Sequence, residues 1–192
     1  MLILVRSCLE IFCMLNYGSK KNGYTLIEVL VVVSIMGILS TMGVVSLRGA
    51  VINSRMKDNA LNTTAFLERI ANEANRMSKT LCVKKISPHG LGVYVTDDCS
   101  SLPENTYDTF YIDAPAVFGC DNQIEFSVFE GSDWASGDGV IFQPRIGLSA
   151  VPSTGYICMQ YGDDDVYAVA AKYKNKNMIV PMWRTGAYWD EL

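Results

Sequence analysis

The sequence holds one histidine, His89, and no Cys-x-x-Cys pair. A zinc site of the usual spacing draws its four ligands from such clusters, so the chain is not expected to hold that metal. It also lacks G-x-S-x-G, a P-loop and G-x-G-x-x-G, and with them a nucleophile elbow, a phosphate cradle and a dinucleotide turn. His89 stands between Pro88 and Gly90, where an exposed turn residue is expected rather than a catalytic one. The chain is therefore read as a non-enzyme without a cofactor. Basic residues are sparse too, 16 against 20 acidic, for a net charge of −4. Nucleic-acid binders present a basic face, so DNA is not an expected partner.

What the sequence does have is concentrated apolar character. Residues 29–47 contain no charged side chain. As a helix they would reach about 28 Å, close to the ~30 Å hydrocarbon core of a bilayer. Lys20 and Lys21 precede the run and mark the end that stays in the cytoplasm, which places the C-terminus outside. The one acid near the start of the run is Glu28. A carboxyl at mid-bilayer costs roughly 2.5–3.5 kcal/mol on insertion scales, so it calls for a partner. A cut after Gly23 would make one, the α-amine of Tyr24, four residues or about 6 Å from Glu28 along the helix axis. The helix dipole also favours an acid at this end. In a helical array, pairing with a neighbour's amine would remove both charges from lipid and fix the stagger. Such a cut removes Arg6, Lys20, Lys21 and Glu10, leaving 13 basic and 19 acidic residues and a net charge of −6. Residues 1–13 are apolar and suit a short cationic leader poorly, so Met14 is expected as the true start.

From residue 48 the chain turns polar but keeps a helical period. Ala60, Thr63, Thr64, Leu67, Ile70, Ala71, Ala74, Met77 and Leu81 recur at three- and four-residue steps, while Arg69, Glu73 and Arg76 fall off that stripe. Beyond it the pattern is β. Strands are expected at 80–86, 90–96, 123–129, 139–143, 155–160, 166–171 and 178–183, with turns at 87–90 and 174–177 and a long irregular stretch over 97–118. The sheets need an apolar cover, which the stripe supplies. The expected class is α+β: a leader (1–23), a membrane and assembly helix (24–47), its amphipathic continuation (48–80) and a β-rich head (81–192). Cys82, Cys99, Cys120 and Cys158 remain after the cut, and in an exported head they allow two disulfides in three pairings.

Two further groups have competing readings. Asp163-Asp164-Asp165 could attract a hard cation, although a solvated turn explains it more simply. Trp134, Trp183, Tyr188 and Trp189 could make a sugar-binding surface, but core packing accounts for them at less cost.

The string Lys20-Lys21-Asn22-Gly23-Tyr24-Thr25-Leu26-Ile27-Glu28 resembles the signature of the type IV pilin family, which includes the pseudopilins of type II secretion. Tyr24 stands where Phe is commoner, Gly37 matches a family glycine, and Val45 falls where many pilins carry a kinking Pro. The resemblance implies that a prepilin peptidase cuts between Gly23 and Tyr24 and methylates the Tyr24 amine. It also implies that Glu28 pairs with a neighbour's N-terminus. The implied setting is a single-pass inner-membrane subunit with a periplasmic head, lifted by an assembly platform into a filament with other pilins or pseudopilins. Ala71-Asn72-Glu73-Ala74, Val83-Lys84-Lys85, 141–149 and 155–159 look like segments of the H-type minor pseudopilins and FimT-like minor pilins. Those heads set two small antiparallel sheets on the helix. A basic Gly-Arg-x-Arg element implicated in DNA binding by some of them is reduced here to Arg184 alone, near Gly186. The alternative to a structural subunit is a pilus-tip module for adhesion or DNA uptake.

Overall fold

The computed structural model describes residues 24–120, 128–145, 148–162, 164–185 and 188–192, with the side chains of 41–46, 164, 165 and 185 outside the description. Helix α1 runs Leu26–Met77. No proline interrupts it. It stops because Ser78 takes the left-handed conformation (φ 52°). The Lys79 amide then donates to the Ala74 carbonyl and the Ser78 amide to Asn75, both at 3.2 Å. This Schellman arrangement satisfies carbonyls that the helix end would otherwise orphan. Leu81, which the three-and-four spacing placed on the helical stripe, instead opens the first strand. It stays fully buried because both settings point it at the same core.

The chain divides into two compact units between Ser46 and Leu47. In the first, the described apolar side chains are exposed around the helix, among them Leu26, Ile27, Val29, Leu30, Val33, Ile35, Ile38 and Leu39. A helix apolar on all sides requires covering by lipid or by other chains. Ser34 and Ser40 do not interrupt this surface, since each hydroxyl donates to the carbonyl four residues back at 2.7 Å.

The second unit is α+β: the remainder of α1 and two antiparallel sheets. Sheet A has the order β3 (Asp108–Tyr111), β2 (Gly90–Val95), β1 (Leu81–Ser87), β6 (Val140–Phe142), β7 (Ala150–Val151). Sheet B has the order β11 (Tyr188–Glu191), β10 (Ile179–Thr185), β9 (Asp164–Lys172), β8 (Gly155–Tyr161), β4 (Ala116–Phe118). The two-residue strand β5 (Ser132–Asp133) joins β8 in parallel. The inner faces of both sheets close on one helix stripe. Met56, Ala60, Leu67, Ile70, Ala71 and Ala74 share a core with Leu81, Val83, Leu91, Val93, Phe142, Ile157, Met159, Ala168 and Ala170. Ile52 is buried along with Met56, so the covering face begins earlier than the stripe from Ala60 suggested, and buried Phe66 widens it. Glu68 adds a polar tie by accepting the Ile179 amide at 3.2 Å.

Sheet B is buried on its other face too, where Phe129, Tyr156, Cys158, Val169, Ala171, Val180 and Met182 cluster. Burial on both faces explains why β9 shows no polar–apolar alternation. Gly155 has a steric role: a Cβ there would lie 2.1 Å from Trp134 Nε1, so only glycine lets the indole seat on β8.

The expected strands at 80–86, 90–96, 139–143, 155–160, 166–171 and 178–183 correspond to β1, β2, β6, β8, β9 and β10. The strand expected at 123–129 falls largely outside the described residues, and Val128 and Phe129 are not in a strand. The stretch 97–118 is corrected: it contains β3 and β4. Strands β5, β7 and β11 were also unanticipated.

Candidate functional site

The start of α1 is built by Thr25 and Glu28. The Thr25 amide and hydroxyl both donate to Glu28 Oε2 at 3.0 Å, and the Glu28 amide donates to Thr25 Oγ1 at 3.4 Å. The Thr25 carbonyl accepts from the Glu28 and Val29 amides at 3.0 and 3.3 Å. This is a capping box, in which the residue at the N-cap and the acid three positions later each satisfy an orphan donor of the other. The Thr-x-x-Glu spacing of Thr25 and Glu28 is the sequence signal for it. The helix thus begins, capped, at Leu26, two residues after the Gly23–Tyr24 bond. Tyr24 stands just outside the cap with its side chain 73% exposed. Gly23, Lys20, Lys21 and Met14 lie outside the described residues.

One carboxylate oxygen of Glu28 is thus occupied within the chain, and the second has no hydrogen bond among those described. The geometry holds an anionic acceptor at the dipole-positive end of an apolar helix.

Residues 18–44 match the family model described as the prokaryotic N-terminal methylation motif. The match covers the charged leader end, the Gly23–Glu28 string and most of the uncharged run, and stops short of the head. No curated protein and no solved structure matches the chain. The motif supports a type IV pilin-like subunit, and the family that carries it is structural rather than catalytic. It implies cutting and methylation by a peptidase and membrane-anchored assembly with other pilins. Among the described residues, no helix is long and apolar enough to cross a membrane. The uncharged run includes residues 41–46, whose side chains are outside that description.

The other sequence candidates scatter. His89 is corrected from exposed to half-buried. Its Nδ1 lies 2.6 Å from the Ala116 carbonyl, so the ring ties the β1–β2 turn to β4. Asp163 lies outside the described residues, and Asp164 belongs to β9, paired with Tyr161. Among the described residues no group of three or more metal-ligating side chains is found. Trp134 is a core residue at 2% exposure and Tyr188 is 79% exposed. Trp183 and Trp189 sit on opposite faces of sheet B, because Trp189 pairs with Arg184. Trp183 packs toward the helix under Lys57, whose Nζ is 4.0 Å from the ring centroid, and Trp189 packs edge-on to Phe129 at 4.9 Å. The four residues therefore do not share one surface.

The cysteines pair as Cys82–Cys99 and Cys120–Cys158, with Cα separations of 5.6 and 5.8 Å. A further polar cluster lies on α1, at the residues that fall off its apolar stripe. Glu73 receives the Arg76 guanidinium (2.9 Å from Nε) and the Tyr107 hydroxyl (2.7 Å), while Arg69 meets Asp108 at 2.6 Å. Together they stitch the helix to edge strand β3. Hydrogen bonds from Arg76 and then from Tyr107 hold the Glu73 carboxyl down at about 2.

Proposed function

We propose that this chain is a minor pilin or pseudopilin, a structural subunit of a type II secretion pseudopilus or a type IV pilus. A prepilin peptidase cuts it between Gly23 and Tyr24 and methylates the new amine. Residues 24–47 then anchor it in the inner membrane, 48–80 carry the helix into the periplasm, and the head 81–192 folds there. The observation that carries this reading is the methylation-motif match over residues 18–44, which lies on the Gly23–Glu28 string. The helix exposed on all sides at Leu26–Leu39 supports it, since that surface needs lipid or neighbouring helices as cover. A helix carrying two small antiparallel sheets is also what the H-type and FimT-like minor subunits would require. In assembly, Glu28 uses its remaining capacity to accept the α-amine of an adjacent subunit.

The reading is tested by co-expressing the full chain with a prepilin peptidase and sequencing the N-terminus of the membrane-extracted product. The expected product begins at methylated Tyr24, and a bulky residue in place of Gly23 abolishes the cut. A product that retains Lys20-Lys21 in the presence of active peptidase overturns the reading.

A further inference from the structure

The two disulfides join the four head cysteines in chain order, first with second and third with fourth. Loop length does not select this pattern. Cys82 and Cys99 are 17 residues apart, Cys99 and Cys120 are 21 apart, and Cys120 and Cys158 are 38 apart. Closure entropy grows only with the logarithm of length, so the non-native 99–120 link would close nearly as readily as the native 82–99 link, and more readily than 120–158.

Burial restricts when the bonds can form. Cys82 is the second residue of β1, between Tyr94 of β2 and Ile141 of β6, and is fully buried. Cys99 is 4% exposed, with its sulfur 3.8 Å from the Val140 carbonyl of β6. Leu102 and Ile141 pack on the same cluster. Once β6 pairs with β1, no external sulfur can approach this pair in line. Cys158 is fully buried in mid-β8, so only the half-buried Cys120 gives any access to the second pair.

We propose that a disulfide-carrying thiol oxidase installs both bonds on the emerging head in chain order, Cys82–Cys99 before β6 docks and Cys120–Cys158 afterwards, without an isomerase. The inference rests on the exported, N-terminally anchored reading above, under which the head crosses the membrane from residue 48 onward. Cys99 then emerges when Cys82 is the one other cysteine across, and Cys158 emerges when Cys120 alone is still free. At each step a chain thiolate attacks the oxidase disulfide, forming a mixed disulfide and releasing one oxidase thiol. The partner cysteine's thiolate displaces the second oxidase sulfur. Two chain thiols become one disulfide, and the oxidase leaves as its dithiol.

The test uses the full chain in cells lacking a disulfide isomerase. Free thiols are trapped by alkylation, peptides are mapped without reduction, and the N-terminus is sequenced from the same sample. The expected result is 82–99 and 120–158 peptides at wild-type yield, with 82–99 appearing first after a pulse of label. Cys99→Ser supplies an arm that does not depend on folding. Cys82 should then take the next cysteine to emerge, giving an 82–120 link with Cys158 free. Accumulation of 99–120 links in the wild-type chain, or full retention of 120–158 in Cys99→Ser, shows that folding or reshuffling chooses the partners and overturns the proposal. Either result with an N-terminus at Tyr24 leaves the functional reading intact. Four free thiols together with a retained Lys20-Lys21 segment overturn both.

Discussion

At Glu28 two roles meet in one carboxylate, and they can be separated by substitution. As a capping-box acid it accepts from the Thr25 amide, and as a charge it is proposed to meet an amine from another chain. Losing a Thr N-cap costs about 1 kcal/mol, or roughly fivefold in the local opening equilibrium. Thr25→Val should therefore lower hydrogen-exchange protection of the Glu28 and Val29 amides about fivefold in detergent micelles, and Thr25→Ser should restore it. Glu28→Gln keeps an acceptor at the third helical position, so protection should stay near wild type while incorporation into filaments falls. Equal incorporation of Glu28→Gln and wild type would leave capping as the residue's whole role. The sequence made half of this legible. Gly23, Tyr24 and Glu28 stood out because an acid beside an apolar run is costly. Thr25 did not, because a lone hydroxyl carries neither a charge nor a place in an apolar period.

Among elements, α1 was legible over nearly all its length because nothing in the sequence opposes it and its buried positions recur every three or four residues. Its end was not, since the stop depends on a left-handed Ser78 where a glycine would have advertised itself. Strands β8, β9 and β10 were readable because each has seven or more residues and holds a mostly apolar stretch. Strands β5 and β7 have two residues each, and β3 and β4 have four and three. Pieces that short gain their strand state from the edge they pair with, which sequence pattern does not encode. Edge strand β3 depends on α1 through Tyr107–Glu73 and Asp108–Arg69. Glu73 is held at about 2 in the fold, below its unfolded value near 4.5. A carboxyl shifted downward stabilises the fold above its unfolded value, and that contribution is lost as pH falls through its folded value. The difference in melting temperature between wild type and Glu73→Gln should be full at pH 6 and shrink between about pH 4.5 and pH 2. Tyr107→Phe should weaken the same dependence. A wild-type-minus-variant difference that stays flat with pH would mean that the Glu73 charge contributes nothing to the seam.

For the molecule as a whole, the question is what keeps the head folded when its sheets are short and its helix is shared with another task. Spacing left three disulfide pairings open; in the folded head Cys82 of β1 is joined to Cys99 and Cys158 of β8 to Cys120, each bond tying a strand to a residue outside the strands. Chain-entropy arguments assign about 3 kcal/mol to a 17-residue loop and about 4 kcal/mol to a 38-residue loop. Domain stabilities are about 5–15 kcal/mol, so the two bonds together amount to a large part of what is available. The joint variant Cys120→Ser/Cys158→Ser should lose about 4 kcal/mol, and Cys82→Ser/Cys99→Ser about 3 kcal/mol. Urea unfolding of the detergent-extracted chain, followed by tryptophan fluorescence, reads both. Trp134 reports from the shared core and Trp189 from the outer face of sheet B. If the bonds act through the unfolded chain, both pairs should lower the midpoint while leaving the folded spectrum unchanged. A changed folded spectrum in either variant would instead place the effect in native packing, with loop 97–102 over sheet A or Phe129 over sheet B as the part that has shifted.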